Sequence, residues 1–299
     1  MTSKSVAQNT SYDISIKSGK IVNKKSFVKQ TGVHISILIL MLINLLPLLI
    51  ALSSSLRTPD NMTNPLKLFS QISLESYKIA FERMHFLQAL MNSVLLTGVS
   101  VIVVVIFTSM AAYPIARMNT RISKFLYIFF LSGLVIPSQM VIIPIVKTFN
   151  ALHIPSGQLT SIIMFITCSI PFSSFLYAGF IKSSVPIEVE ESALLDGAGV
   201  FRRFWQIVFP LLIPVTVSVV ITQGVWIWND YFFNMIFINR ADLSPLPLAM
   251  LGFMGDQTNP TAWNVLFAAC FLCALPLLVI FAFLQKFFIK GLSVGSVKG

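Results

Sequence analysis

Apolar residues gather in six long runs, at 33–56, 88–116, 123–146, 157–181, 207–229 and 263–285, separated by shorter polar stretches. A helix needs about 20 apolar residues to cross a hydrocarbon core of about 30 Å. The pattern therefore predicts an all-α, polytopic membrane protein with six transmembrane helices. Residues 1–32 are polar and lysine-rich and read as an N-terminal tail ahead of a six-helix domain over 33–299, with its core at about 88–285 and a C-terminal tail at 286–299. The loop at 57–87 contains "SLESYKIAFERMHF", which predicts a short surface helix, and 231–262 forms a second large loop. No internal repeat or low-complexity tract interrupts the pattern.

Composition agrees with lipid burial. The chain of 299 residues is 56% apolar and 11% charged, with 26 phenylalanines, more apolar surface than a soluble core can hide. Charge placement gives the orientation. Lys4, Lys17, Lys20, Lys24, Lys25 and Lys29 precede the first run, and Arg117, Arg121 and Lys124 lie between the second and third. Lys182, Arg202 and Arg203 lie between the fourth and fifth, and Lys286, Lys290 and Lys298 follow the sixth. Only Arg57, Lys67, Lys78, Arg83, Lys147 and Arg240 remain of the 21 basic residues for the other side. The positive-inside rule then makes both termini cytoplasmic. The net charge of +10 is an orientation signal, not a nucleic-acid footprint.

Away from their ends the runs hold no Asp, Glu, Lys, Arg or His, and Asp230 stands just past the fifth. Ionisable groups kept inside a bilayer usually mark function. Their absence argues against an intramembrane enzyme and against an ion-coupled carrier built on buried carboxylates. Cys270 and Cys273 have CxxC spacing but no companion ligands, and His34, His85 and His153 are scattered, so no metal site is expected. The polar groups left in the runs, Gln139, Ser169, Ser173, Gln223 and Asn229, are candidates to line a path for an uncharged solute or to bond helix to helix. Pro137, Pro144, Pro171, Pro210, Pro214 and Pro276 predict bends.

One polar stretch breaks the greasy pattern: "VEESALLDGAGVFRRFWQIVFP" at 189–210. Pro186 suits a helix's first turn, and Glu188, Glu190 and Glu191 follow where acids favour the helix dipole. Ile187, Val189, Ala193, Leu194 and Leu195 are interleaved with those acids all round, so no single face suits water or lipid. Gly197 and Gly199 permit a positive-φ turn. A second helix is predicted from Val200, with Val200, Phe201, Phe204, Trp205, Ile207 and Val208 on one arc and Arg202, Arg203 and Gln206 on the other.

This stretch resembles the cytoplasmic EAA loop of ABC-importer membrane subunits, E-A-A-x3-G-x9-I-x-L-P. Glu191, Ser192, Ala193, Gly197, Ile207, Phe209 and Pro210 stand at those positions with both spacings kept, and Ser192 and Phe209 are mild departures. "NSVLL…MAAYPIARM" (92–118), "IPSQMVIIPI" (136–145), "WIWNDYFF" (226–233) and "QKFFIKGLSVGSVKG" (285–299) are similar to the maltose-type, carbohydrate-importing branch. The resemblance implies a type I ABC-importer transmembrane domain in a bacterial inner membrane. It implies a second homologous membrane subunit beside it, as a heterodimer, two ATPase subunits beneath and a solute-binding protein outside.

In that family a short helix of the loop docks in a cleft of the ATPase. By resemblance, residues 183–206 are the coupling loop, with Glu190, Glu191, Ser192, Ala193, Leu194, Asp196, Gly197 and Ala198 as its coupling residues. The family's C-terminal tail reaches between the ATPase subunits, which assigns that place to 296–299. The chain has no G-x-x-x-x-G-K-[ST] phosphate loop. No cofactor is therefore expected on it, and ATP and Mg belong to the partner ATPase. The alternatives are the same architecture importing another polar solute, such as glycerol phosphate, or an ion-coupled secondary sugar carrier. The first would favour Arg or Lys along the path, and the second would show repeated halves.

Overall fold

The computed structural model describes residues 24–58, 68–69, 72–255 and 261–295; the parts of the predicted tails at 1–23 and 296–299 lie outside the described residues. Every regular element among the described residues is helical. The chain divides into two compact units, residues 1–49 and 50–299. Helix α1 (Lys24–Ser55) supplies the described part of the first, and its apolar stretch Gly32–Ser55 is long enough to span a membrane.

The second unit continues with α2 (Glu75–Arg83), the surface helix predicted in the first loop, and α3 (Phe86–Arg117). It runs on through α4 (Arg121–Ser132), α5 (Ile142–Ala151) and α6 (Gln158–Ser184). Then come α7 (Ile187–Leu195), α8 (Val200–Arg203), a π-helical turn (Phe204–Val208), α9 (Phe209–Leu211) and α10 (Ile213–Trp228). The last elements are α11 (Phe232–Phe237), α12 (Leu246–Met250) and α13 (Trp263–Gly295).

Helices α3 and α6 form the central pair. Small side chains line their buried faces, Ser100, Thr108, Ser109 and Ala112 on one and Ser169, Ser173, Ser174 and Ala178 on the other. Such residues let backbones approach closely where lipid offers no hydrophobic drive. Larger side chains fill the rest of the core: Val104, Phe165, Tyr177, Val208, Val219 and Phe233. Tyr177 donates to Thr216 Oγ1 at 3.0 Å and ties α6 to α10.

Two predicted spans differ from straight rods. The fifth is bent by 74° between Val200–Leu211 and Ile213–Trp228. Pro210 and Pro214 flank that bend, and each withholds a backbone donor there. The third, 123–146, is two short helices, α4 and α5, parted by an irregular stretch at 133–141. Gly133 closes α4 and lies against α6: a Cβ there would stand 2.7 Å from Pro171 Cγ. Pro137 then stops the helix from resuming at once.

At the N-terminal end of α3 a polar clasp holds the loop after α11. Gln88 and Asn92 donate to the Asp242 carbonyl, each at 2.9 Å, and Gln158 donates to the Leu243 carbonyl at 3.1 Å. Ser93 Oγ accepts from the backbone N–H of Leu246 at 2.8 Å.

Candidate functional site

The polar break of the sequence folds as a helix with a defined stop. Pro186 precedes α7 with φ −63° and ψ 135°, and Glu188 and Glu190 occupy its first turn. At its end the N–H of Ala198 bonds to the Ala193 carbonyl at 2.9 Å and that of Gly197 to the Leu194 carbonyl at 3.0 Å. This is a Schellman stop, which requires a left-handed residue at Gly197, and φ there is +77°. Gly199 is different: at φ −65° and ψ 165° it is ordinary extended backbone opening α8. Of the two glycines that suit a positive-φ turn, only Gly197 makes one.

One side of α7 is turned into the fold. Ala193 and Ala198 are buried, and Glu190 is only 5% exposed. Its carboxylate accepts from Tyr113 Oη at 2.7 Å and from Arg117 Nε at 2.7 Å, and Arg117 Nη2 lies 2.6 Å from Oε1. The same Nη2 donates to the Val185 carbonyl at 2.8 Å, so one guanidinium holds the chain just before α7 and again one turn into it. A buried charge without such partners would be strongly destabilising.

The other side is presented outward. Glu191, Ser192, Leu194, Asp196 and Gly197 are exposed, and Leu195 is 89% exposed. Ser192 turns its hydroxyl back onto the Glu188 carbonyl at 2.8 Å, which leaves the acids and leucines as the projecting groups. The predicted coupling residues thus divide. Glu190, Ala193 and Ala198 anchor the loop, while Glu191, Leu194, Asp196 and Gly197 face away from it.

Beside α7 an open cavity of about 590 Å³ is lined by Met110, Tyr113, Arg117, Leu194, Phe201 and Arg203 among others. The single amphipathic arc predicted from Val200 is split here. Phe204 and Val208 are buried in the core, whereas Val200, Phe201 and Trp205 are exposed. A π-helical turn follows at Phe204–Val208, and beyond it a face drawn at 100° per residue no longer lines up. The Phe204 ring packs on Tyr113 at 5.6 Å and edge-on to Trp205 at 5.0 Å, with Phe209 completing the cluster.

The polar groups predicted along the spans are not gathered into one site. Gln139 is exposed on the irregular stretch between α4 and α5, next to Ser138. Ser169, Ser173 and Gln223 are buried. Asn229 is exposed and donates its amide to the Val225 carbonyl at 2.8 Å. Among the described residues no hydrogen bond joins any two of them.

Three residues with structural consequence were not among the predicted site residues. Tyr113 and Arg117 are four apart near the end of α3, and that spacing places them on one helix face. Asp230, just beyond α10, caps α11 by accepting from the Phe233 N–H at 2.9 Å. Burial pushes its carboxyl up to about 6, against the pull of the backbone bonds from Phe233 and Asn234.

The family described as the binding-protein-dependent transport system inner membrane component matches residues 104–294. The chain is 35% identical over 254 residues to the melibiose/raffinose/stachyose import permease protein MelC of Bacillus subtilis, covering 85% of this chain and 91% of that one. It is 31% identical over 262 residues to the probable starch degradation products transport system permease protein AmyC of Thermoanaerobacterium thermosulfurigenes, covering 87% and 94%. Among solved structures, a chain of a bacterial ABC transporter involved in import of the acidic polysaccharide alginate superposes with a TM-score of 0.78. That match covers 89% of this chain and 98% of the other at 19% identity, and it shows a shared fold.

Proposed function

The chain belongs to the family of binding-protein-dependent transport system inner membrane components, and from that premise we propose that it forms half of the path by which an ATP-driven importer moves a sugar or oligosaccharide across the cell membrane. It is a multi-pass membrane subunit of a transporter and not itself an enzyme. Its work depends on an ATPase and a solute-binding protein. The sugar reading draws on relatives named for melibiose, raffinose, stachyose and starch products. The full assembly we propose pairs this chain with a second, homologous permease, two ATPase subunits on the cytoplasmic side and the binding protein on the other. Both termini are cytoplasmic, and ATP and Mg are held by the ATPase, with no cofactor on this chain.

The observation that carries the coupling role is α7 itself. It is stopped by a left-handed glycine, anchored through Glu190, and presents Glu191, Leu194, Leu195 and Asp196 outward. Exposed leucines flanked by acids suit neither lipid nor bulk water, and fit a protein cleft with a basic group at its edge. ATP binding closes the ATPase pair and carries α7 with it, which turns the bundle from inward- to outward-open. The solute then enters from the binding protein, and hydrolysis resets the cycle.

The irregular stretch at 133–141 supports a path on this side of the subunit. Non-helical backbone at membrane depth is tolerated only where protein covers it or where it lines an aqueous cavity. Ser138 and Gln139 lie on that stretch with Val135 and Met140, both more than three-quarters exposed. We assign Gln139 to the path and leave Ser169, Ser173 and Gln223 as groups packed between helices.

Reconstitution in liposomes with a related permease, an ATPase pair and a binding protein tests the whole reading. Sugar-stimulated ATP hydrolysis with uptake is expected from the complex, and neither from this chain alone. Uptake by the chain alone, driven by an ion gradient, would overturn it.

A further inference from the structure

We infer that Arg117, Tyr113 and Glu190 form a clasp that makes α7 a rigid extension of α3, so that force applied to α7 enters the bundle through α3 instead of being absorbed in the connecting loops. This rests on α7 being the docking helix. It adds that Glu190 and its two partners are positioning residues, which set the pitch of the docking face without touching the ATPase.

The geometry supplies the rigidity. A single bond between a short helix and its support leaves the helix free to rotate about that bond. Here Arg117 grips two points, the Val185 carbonyl ahead of α7 and the Glu190 carboxylate within it. Tyr113 holds the second carboxylate oxygen from one turn earlier on α3. Three donors fanned across one buried carboxylate and one carbonyl fix both position and rotation, and the planar guanidinium suits this forked role in a way an ammonium does not. The clasp also reaches the elbow. The Phe204 ring packs against that of Tyr113, tilted by 43°, and Phe204 begins the π-helical turn that leads to the 74° bend. A displacement of α7 is therefore felt by α3 through charged hydrogen bonds and by the fifth span through packed rings.

Glu191 is adjacent in sequence but contributes nothing to this grip, because it lies about 100° round the helix on the exposed side. The two glutamates accordingly separate docking from transmission.

The experiment uses the complete importer, reconstituted with both permeases, ATPase pair and binding protein, and reads sugar taken up per ATP hydrolysed. Glu190→Ala should leave assembled complexes that hydrolyse ATP but lose about tenfold or more of that ratio, since a buried charged hydrogen-bond network is removed. Glu190→Gln, which keeps an acceptor for Tyr113, should retain more than Glu190→Ala. Arg117→Lys should fall between, because one ammonium cannot serve Val185 and Glu190 together in the same plane. Exchanging the partners, Arg117→Glu with Glu190→Arg, should recover part of the ratio that either change alone loses. Tyr113→Phe removes one hydrogen bond and no charge, so it remains informative if Glu190→Ala fails to assemble. A merely structural role would lower the yield of complex while leaving the ratio in what assembles unchanged. That result, in Glu190→Ala or, should it not assemble, in Tyr113→Phe, overturns the clasp. A wild-type importer without sugar-stimulated hydrolysis would instead sink the functional reading, and the clasp with it.

Discussion

Gly197 and Gly199 stand two residues apart in "GAG", and neither has an atom within 4 Å of where a Cβ would sit. Space does not distinguish them; backbone does. At φ +77° a side chain on Gly197 costs about 1–2 kcal/mol, whereas Gly199 at φ −65° accepts any residue. Gly197→Ala should therefore weaken ATPase co-purification and sugar-stimulated hydrolysis, and Gly199→Ala should leave both near wild type. Equal losses in the two variants would mean that the Schellman stop is not what the loop needs. Which glycine makes the turn was not legible in the sequence, because either satisfies the composition of a helix stop. The bonds from Ala198 and Gly197 back to Ala193 and Leu194 decide it. Glu190 and Glu191 pose the same problem. They read alike as first-turn acids, and only Arg117, 73 residues earlier in the chain, separates the anchored acid from the exposed one.

Among the elements, a continuous apolar run is enough to give the span where nothing interrupts the helix: α1, α3, α6 and α13 each contain a stretch long enough to span. The run at 123–146 stays apolar through its break, with Leu134, Val135, Ile136 and Met140 all exposed in this chain, so hydropathy has no reason to report one. Pro137, which lacks a backbone donor, keeps the helix from continuing, and just before it Gly133 approaches Pro171 of α6 closely. The proline was visible in the sequence and the approach was not. Gly133→Ala tests that contact. Its Cβ would lie 2.7 Å from Pro171 Cγ and 3.3 Å from Pro171 Cβ, so the helices must part. Overpacking of this kind costs about 1–3 kcal/mol, and a lower unfolding temperature of the detergent-solubilised complex is expected. An unchanged midpoint would show that α4 can shift along α6 without loss. The π-helical turn escaped the sequence for a related reason. A hydrophobic arc drawn at fixed pitch cannot register an inserted residue, and at this turn Phe204 packs against Tyr113 while Phe201 stays exposed.

For the importer as a whole, the joint we propose between this chain's motion and ATP is the exposed acidic edge of α7, and Glu191 is the residue whose charge can be tested across it. It is exposed and bonded to no other side chain among the described residues, so its replacement should not disturb the fold of this chain. Nor should it disturb membrane insertion, because α7 lies outside the apolar spans. A charge-assisted contact to a basic group on the ATPase is worth about 1.5–3 kcal/mol, roughly a 10- to 150-fold change in association. Glu191→Lys replaces that attraction with repulsion, and should abolish ATPase co-purification or sugar-stimulated hydrolysis while the permease accumulates normally in the membrane. An acidic substitution at the facing position of the ATPase cleft should restore the Glu191→Lys importer. The same substitution should do nothing for Gly197→Val, whose defect lies in the direction of the turn and not in charge. Rescue of both, or of neither, would show that the two residues do not act as docking charge and turn. Normal transport by both single variants would remove α7 from the path of energy through the molecule.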